Sequence, residues 1–374
     1  QIKDNITIFI ETVIVNPSFN SQTKEELNNK KDNFGSTCEI SKKFLLKLEK
    51  TGLITELVEF GKLKEQSILK KTDGKKTSKI SGIEKLEDAN KAGTTQSSKC
   101  RLILTEGDSA KALAVAGLSV IGRNYYGVFP LKGKMLNVRD AIPKQMLNNE
   151  EIIKLKKILG LRHDVVYKDT GKLRYGGIVI FTDQDVDGSH IKGLIINFIH
   201  YFWPDLAKLK GFITCLTTPI MKVKKGNNTL DFYNVSEYNK WIKKNLSGWS
   251  KPKYYKGLGT STSSEAREYF KDFDKKLINY VWSKDTNQKF EETDDTIKNL
   301  EIDEQKEKMN KCHDAITLAF SKIRADDRKR WLSKYSTEQF LENTNKNISY
   351  YDFINKELIH FSKDDNDRSI PSIV

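Results

Sequence analysis

The sequence has few cysteines, no long apolar run and no secretion signal, and each shortage excludes a class of protein. The best candidate for a membrane span, Gly193–Trp203, has only 11 residues, well below the ~18 that cross a bilayer. The four cysteines are scattered without a C-x-x-C pair, so neither a disulfide framework nor a zinc site is expected. The chain starts at Gln1 without the pattern of a signal peptide. We therefore expect an intracellular protein with no membrane association, and we expect the chain to be part of a longer one.

Two common catalytic motifs are also missing. There is no G-x-x-x-x-G-K-[ST] phosphate-binding loop and no G-x-S-x-G hydrolase nucleophile. The composition is nevertheless that of a folded chain, because aromatic residues make up 10% of it. Lys and Arg number 64 against 50 Asp and Glu, a net charge of +14. This excess favours an anionic partner such as nucleic acid, and the 374 residues predict two or three domains.

The chain divides at a lysine-rich stretch. Before it, residues 5–15 alternate in the manner of a strand, and Ser41 followed by helically spaced apolar residues predicts an N-capped helix. Between Lys62 and Lys99 there are ten lysines, five acids and no aromatic residue, which predicts a linker or a long surface excursion. The predicted boundaries are 1–60, 61–98, 99–225, 226–345 and 346–374.

From residue 100 onwards, short apolar runs alternate with helical segments. The runs that predict strands are CRLILTEG, NYYGVFPL, YGGIVIFTD and FITCLTTPIMKV. Strands that alternate with helices in this way predict an α/β fold with a parallel sheet. In such sheets the reactive groups lie at the carboxyl ends of the strands, so the chemistry is expected there.

Acidic residues end two of these strands. Glu106 ends the first, and Asp183, Asp185 and Asp187 follow the third. In an extended segment, residues two apart share a face, so Asp183 and Asp185 can point together, and Glu106 joins them if the strands are neighbours. Converging carboxylates repel one another unless a cation neutralises them, and oxygen ligands favour Mg²⁺, Mn²⁺ or Ca²⁺. A divalent metal site is the prediction.

Two simpler interpretations compete with a metal site. The acids could cap the helices that follow, a role that suits Asp108 or Ser109 and also Asp187 or Ser189. D-x-D-x-D-G also resembles the start of an EF-hand loop, but the twelfth position is Leu194 instead of the required Glu. Capping accounts poorly for Glu106 at the end of one strand together with three aspartates that follow another strand.

Basic residues lie near this acidic cluster in the sequence. The segment 130–139 holds Lys132, Lys134 and Arg139 with no acid, and Lys256 belongs to a glycine-containing loop suited to phosphate contact. Nucleic-acid phosphate is the simplest anion that could use both segments. His190 is expected to face DNA or cap a helix, since no pattern favours it as a catalytic base.

Four segments resemble the Toprim region of the eukaryotic-type DNA topoisomerase II family: EGDSAKALAVAGL, PLKGKMLNVRDA, TDQDVDGSHIKGLIINF and YYKGLGTSTSSEAREYF. The resemblance covers nearly the whole chain. It implies an α/β Toprim fold, a Rossmann-like parallel sheet flanked by helices over 99–225, with a Toprim extension and helical insertion over 226–345. The flanking arms would be the end of an ATPase transducer domain, 1–60, and an arm into a winged-helix domain, 346–374.

The resemblance also implies roles for individual residues. Glu106, Asp183 and Asp185 would bind catalytic Mg²⁺ in a two-metal arrangement, with Asp187 nearby, and Mn²⁺ or Ca²⁺ can substitute. The residues implied to contact DNA are Lys132, Lys134, Asn137, Arg139, Lys256 and Lys363. The residues implied to reach an ATP site, bound mainly by a domain absent from this chain, are Gln22, Thr23 and Lys24.

The implied activity is ATP-dependent passage of one DNA duplex through a transient double-strand break, carried out by a homodimer in a nucleus or at a viral replication site. The family's Arg-Tyr pair, which supplies the nucleophile, should lie beyond this chain. Arg174-Tyr175 opens the third strand and is expected to be structural. Because the nucleophile is expected outside this chain, the chain alone is not expected to cleave DNA. Two alternatives stay open: another Toprim enzyme, such as a primase or nuclease, and a non-catalytic DNA-binding fragment.

Overall fold

The structure is a computed structural model that describes most of the chain. The described residues are 7, 9, 11, 13–21, 23–34, 39–50, 53–233, 235–244, 248–255, 257–282, 311–333, 335, 341 and 346–369. They form two compact units, Gln1–Ser67 and Ile68–Val374. No helix in these ranges is both long and apolar enough to cross a membrane.

The first unit is mainly helical where it is described. Helices α1 (Lys42–Lys50) and α2 (Leu53–Lys70) follow Ser41, whose Oγ accepts the backbone N–H of Phe44 at 3.2 Å. This contact confirms the predicted N-cap. The strand predicted over 5–15 falls largely outside the described residues.

The second unit is built on a six-stranded sheet. Its strands, in spatial order, are β2 (Tyr126–Leu131), β1 (Arg101–Glu106), β3 (Gly177–Phe181), β4 (Ile213–Leu216), β8 (Leu277–Val281) and β9 (Asn347–Ser349). The first four are parallel, β8 is antiparallel to β4, and β9 is parallel to β8. The α/β sheet is therefore confirmed, with two further strands that come from late in the chain.

Helices cover both faces of this sheet. They are α3 (Gly107–Ile121), α4 (Pro143–Asn148), α5 (Glu150–Leu159), α6 (Val186–Phe202), α7 (Pro204–Lys208), α8 (Val235–Ile242), α9 (Ser263–Phe270), α10 (Phe273–Lys276), α11 (311–320), α12 (Ala325–Leu332), α13 (Tyr350–Phe353) and α14 (Ile359–Ser369). A π-helical turn, Ile354–Leu358, joins the last two. The α3 face packs Ile103 and Val179 against α9, whereas Leu102 and Ile180 belong to the larger core that contains α5 and α6.

A second, smaller sheet follows the main one. It consists of β5 (Met221–Lys225), β6 (Asn228–Phe232) and β7 (Lys253–Tyr254), all antiparallel to their neighbours. The apolar run at 212–223 predicted one strand, but the structure divides it between the two sheets. Pro219 lies between the two halves and has no N–H for a strand ladder, which accounts for the break.

The lysine-rich segment, predicted as a linker or a long surface excursion, packs in part on the main core. Helix α2 runs through its first part as far as Lys70. Beyond that, the backbone is irregular but packed, because Leu69, Ala89 and Ala92 are buried in the main core. Glu87 also bridges Val128 at the outer edge of β2. A few well-placed apolar residues are enough to fix a lysine-rich segment, and its average composition does not reveal them.

Candidate metal centre

The predicted carboxylates lie at one edge of the main sheet. Glu106 is the last residue of β1, and Asp183 and Asp185 lie just beyond the end of β3. The two strands are direct neighbours in parallel register, with Thr105 opposite Phe181. The condition for convergence set by the sequence is therefore met.

Glu106 is held in a setting that disfavours its negative charge. Burial is the largest cause of a raised pKa for its carboxyl group, and the charges of Asp183 and Asp185 raise the pKa further. Its Oε2 atom is buried without a hydrogen-bond partner. An orphaned carboxylate oxygen among other carboxylates is the chemistry that a hard cation satisfies.

Asp183 is positioned by a loop far away in the sequence. Its Oδ1 accepts the backbone N–H of Leu258 at 2.7 Å. Gly257 packs so closely that a Cβ atom there would lie 2.4 Å from Asp183 Oδ2. Burial, and then Asp185, raise the pKa of Asp183, and the Leu258 N–H partly opposes them. The glycine-containing loop predicted to contact phosphate therefore contacts the carboxylate.

Asp185 and Asp187 differ in their contacts. Asp185 caps α6, because its Oδ1 accepts the N–H of Gly188 at 2.7 Å. Asp187 lies in the first turn and pairs with Lys134, with 2.8 Å between Oδ1 and Nζ. The capping interpretation is thus correct for α6, but the cap is Asp185.

Helix α3 has no side-chain cap. The predicted caps, Asp108 and Ser109, already lie inside the helix, and the residue at the cap position is Glu106, whose side chain makes no capping hydrogen bond. Asp108 pairs instead with Lys85, with 2.6 Å between Oδ2 and Nζ. The Glu106 side chain is therefore not committed to its own helix.

The donor set fits a divalent cation, although it is not arranged as a finished cage. Every candidate ligand is a carboxylate, as Mg²⁺ prefers. No group of three or more His, Cys, Asp or Glu side chains in the described part of the chain is already placed to hold a metal ion. Asp183 and Asp185 each accept a hydrogen bond from a backbone N–H group.

His190 does not cap α6, because the cap is Asp185, and its predicted contact with DNA stays a prediction. Its ring stacks on Phe361 of α14, with 3.9 Å between centroids. Burial is the main cause that lowers its pKa to about 4, so the ring is neutral at physiological pH. The Nζ atom of Lys134 lies over the same Phe361 ring, 4.9 Å from its centroid. His190 therefore serves to pack α14 against α6.

Comparisons with known protein families account for nearly the whole chain. The model described as "Toprim domain" matches residues 101–214, and the "C-terminal associated domain of TOPRIM" matches 216–314 and 283–366. The model described as "DNA gyrase B" matches residues 1–77.

Curated proteins are similar along the full length. DNA topoisomerase 2 of Acanthamoeba polyphaga mimivirus is 47% identical over 412 aligned residues and that of Saccharomyces cerevisiae is 50% identical over 378, each alignment covering 100% of this chain. The chain belongs to the type II DNA topoisomerase family. It spans 32% of the mimivirus relative and 25% of the yeast relative.

A solved topoisomerase structure has the same fold. It is titled the Plasmodium falciparum topoisomerase II DNA-binding, cleavage and re-ligation domain. The match has a TM-score of 0.70 and 48% sequence identity, and it covers 79% of this chain and 37% of that one. The Toprim fold is thereby confirmed.

The predicted DNA contacts of this topoisomerase chain fall into two groups. Lys132 and Lys134 are exposed on the loop after β2, and Lys363 lies partly exposed on α14. The Lys132 backbone N–H donates to Glu151, which fixes the start of the loop. Lys256 lies outside the described residues.

Asn137 and Arg139 point into the topoisomerase fold instead. The Asn137 amide donates to Phe320 O at 2.7 Å, and its Oδ1 accepts from Asn197 at 2.9 Å. Arg139 donates through Nε to Asn197 at 3.0 Å and contacts His200 Nδ1, also at 3.0 Å. Both residues hold the basic loop on α6, and the direct DNA contact implied for them stays a prediction.

The predicted ATP-site residues lie in the first unit of the topoisomerase chain. Gln22 is outside the described residues. Thr23 shares a hydrogen bond with Ser21 at 2.6 Å between the hydroxyl oxygens. Lys24 is exposed, adopts a positive φ of 57°, and lies 5.9 Å from the Phe19 ring centroid. Thr23 and Lys24 lie between the bridged Phe19 and Leu27.

One carboxylate that anchors α6 was not predicted from the sequence. Glu357, in the π-helical turn, accepts from Lys192 Nζ at 2.9 Å and from Ser189 Oγ at 2.8 Å. Lys192 is only 3% exposed. A lysine in the apolar run GSHIKGLIINF was the available signal, because buried lysines require a partner.

Proposed function

We propose that this chain is part of an ATP-dependent type II DNA topoisomerase and supplies the metal-binding half of its DNA cleavage site. The protein acts on duplex DNA as a homodimer, inside a nucleus or at a viral replication site. Mg²⁺ is the expected cofactor, with Mn²⁺ or Ca²⁺ as substitutes. The observation that carries the proposal is the pairing of Glu106 with Asp183 at one sheet edge, both with raised pKa values.

The residues at that edge divide the work. Glu106 and Asp183 hold the cation, and Asp185 joins them from the N-terminus of α6. A bound divalent cation supplies electrostatic stabilisation of the charge that develops on a cleaved phosphodiester. The exposed Lys132, together with Lys134, contacts the DNA backbone beside it.

Further contacts extend to the two arms. Lys363 of α14 and Lys256 of the glycine-containing loop contribute to the DNA surface, and Asn137 and Arg139 act as positioning residues for the basic loop. Gln22, Thr23 and Lys24 contact the nucleotide of the neighbouring ATPase part. Lys24 is exposed, as a contact with a nucleotide phosphate requires.

Metal titration tests the site directly. We expect isothermal titration calorimetry with Mn²⁺ to show binding by the chain, weakened at least tenfold by Glu106→Gln and by Asp183→Asn. Glu150→Gln removes an exposed carboxylate that pairs with Lys154 and serves as the matched control. Equal affinity in all four proteins would show that the carboxylates do not bind the cation.

Cleavage tests the role of the metal in the complete enzyme. In the full-length enzyme, Asp183→Ala should abolish DNA cleavage and leave DNA binding within a few-fold of wild type, because lysines carry the phosphate contacts. Loss of binding and cleavage in equal measure would contradict the metal assignment.

A further inference from the structure

A cationic cavity lies on the side of the main sheet away from the carboxylates. It has a volume of about 770 Å³ and is formed by the turn after α2 and the loop between α5 and β3. Its basic lining residues are Lys70, Lys71, Lys75, Lys76, Arg162 and Lys172, and its acidic ones are Asp73 and Asp164. Because that loop leads into the start of β3, the length of the strand, roughly 15–20 Å, separates the cavity from Asp183.

The turn that carries four of these lysines is fixed from below by Lys156. Lys156 is 1% exposed, and its Nζ donates to Leu69 O at 2.8 Å and Thr72 Oγ1 at 2.7 Å, and pairs with Asp73 at 2.9 Å. Gly74 then packs on α5, where a Cβ atom would lie 2.2 Å from Lys156 O. The lysines on either side are therefore held outwards by a rigid turn.

Arg174 fixes the far end of the same turn. Its fully buried guanidinium donates to Thr77 O at 2.7 Å and to Ile158 O at 2.9 Å, and it pairs with Asp88 at 2.6 Å. The contact with Ile158 satisfies one of the carbonyls at the C-terminus of α5, which would otherwise repel an anion. This is the structural role expected for the Arg174-Tyr175 pair.

The two acids in the cavity are already neutralised. Asp73 accepts hydrogen bonds from His163 as well as from Lys156, and these contacts outweigh burial and lower its pKa. Asp164 pairs with Arg162 at 3.0 Å. By contrast, the exposed Lys71, Lys75 and Lys172 have no carboxylate partner within the described parts of the chain. The cavity therefore presents uncompensated positive charge on a rigid base.

We propose that this surface, defined by Lys71, Lys75 and Lys172, binds the phosphate backbone of duplex DNA at a second place on the chain. The proposal rests on the proposed topoisomerase function. Exposed lysines spaced along one turn and an adjacent loop suit successive phosphates better than one compact anion. The surface holds either a second duplex or the continuation of a bent one, and both present the same phosphodiester chemistry.

The salt dependence of DNA affinity tests the proposal. The variant Lys71→Ala/Lys75→Ala/Lys172→Ala is compared with the control Lys224→Ala/Lys244→Ala/Lys271→Ala, which removes equal charge from exposed lysines elsewhere. Affinity for a 40-base-pair duplex is measured by fluorescence anisotropy at several salt concentrations. Each lost phosphate contact lowers the slope of log K against log salt by about 0.9. We expect the slope to fall by about 2 to 3 for the first variant and by less than 1 for the control.

A third variant, Lys132→Ala/Lys134→Ala, separates this proposal from the proposed function. This variant could lower the slope of log K against log salt while the first variant and the control do not differ. That result would overturn the proposed second DNA surface and leave the proposed function unchanged. Absence of duplex binding by the wild type would overturn both. Additive slope changes when the five substitutions are combined would support two separate surfaces.

Small anions and duplexes of two lengths distinguish three possible occupants of the surface: a compact anion, a second duplex and the continuation of a bent duplex. Suppose that the wild type binds inorganic phosphate or ATP tightly, and that the first variant loses this binding without any change in duplex affinity. That result would overturn the proposal that the surface binds duplex DNA and would favour a compact anion. A first-variant defect that is also present with a 10-base-pair duplex supports a second duplex. A defect that appears only with the 40-base-pair duplex supports a continued, bent one.

Discussion

Replacement of Glu357 by Gln should destabilise the second unit strongly, although the change is nearly isosteric. Lys192 is buried in α6 at 3% exposure, and Glu357 is its carboxylate partner at 2.9 Å. Burial alone would lower the pKa of Lys192, but Glu357 outweighs it and the pKa is raised, so the ammonium stays charged. Removing one member of a buried pair costs about 3–5 kcal/mol, because an uncompensated charge remains. At the lower figure the ratio of folded to unfolded protein falls roughly a hundredfold.

The neighbouring residue provides the matched control. Lys356 pairs with Asp352 at 2.7 Å, and both side chains are more than a third exposed. Lys356→Gln should therefore cost only about 0.3–0.5 kcal/mol. Urea denaturation followed by circular dichroism measures both. The double variant Lys192→Met/Glu357→Gln removes both charges and should be more stable than Glu357→Gln alone. Equal costs for Glu357→Gln and Lys356→Gln would refute the reasoning.

Three further outcomes are expected. Burial raises the pKa values of Glu106 and Asp183, so the metal-free protein loses stability as pH rises from their ordinary to their raised pKa values. Glu106→Gln should therefore raise the melting temperature at pH 7. A lower melting temperature in calorimetry would contradict this. Gly257→Ala should weaken Mn²⁺ binding by displacing Asp183, whereas Gly259→Ala, with open space around it, should not; equal titrations would count against the close packing. Burial raises the pKa of the Cys100 thiol to about 11, so roughly one molecule in a thousand is thiolate at pH 8. Mass spectrometry after brief iodoacetamide treatment of the native protein should therefore find Cys100 unmodified. Rapid labelling of Cys100 would contradict this.

The sequence was sufficient to predict the sheet edge and the carboxylates on it. Buried strands alternating with helices predict a parallel sheet, and that alone places Glu106 and Asp183 at the same edge. Local signals also predicted the Ser41 cap and α6. The cap and the helix depend on residues close together in the chain, whereas the shared edge of Glu106 and Asp183 follows from the rule that parallel strands end at one edge.

Long-range partners were not predictable in the same way. Leu258 binds Asp183 from 75 residues away, and Glu357 reaches Lys192 from 165 residues away. Neither partner has a local pattern that marks it. The inward turn of Arg139 was missed for the same reason, because a basic residue next to exposed lysines gives no sign that it will bind Asn197 and His200.

The last strand of the main sheet has a consequence for how the protein forms. β9 pairs with β8 from 68 residues later in the chain, with Asn279 opposite Asn347. During synthesis, β8 can join β4 long before β9 emerges, so it presents unpaired backbone groups throughout that interval. Such open edges recruit other chains. Any shortened version that ends before Asn347 should therefore aggregate, even though every candidate metal ligand is present.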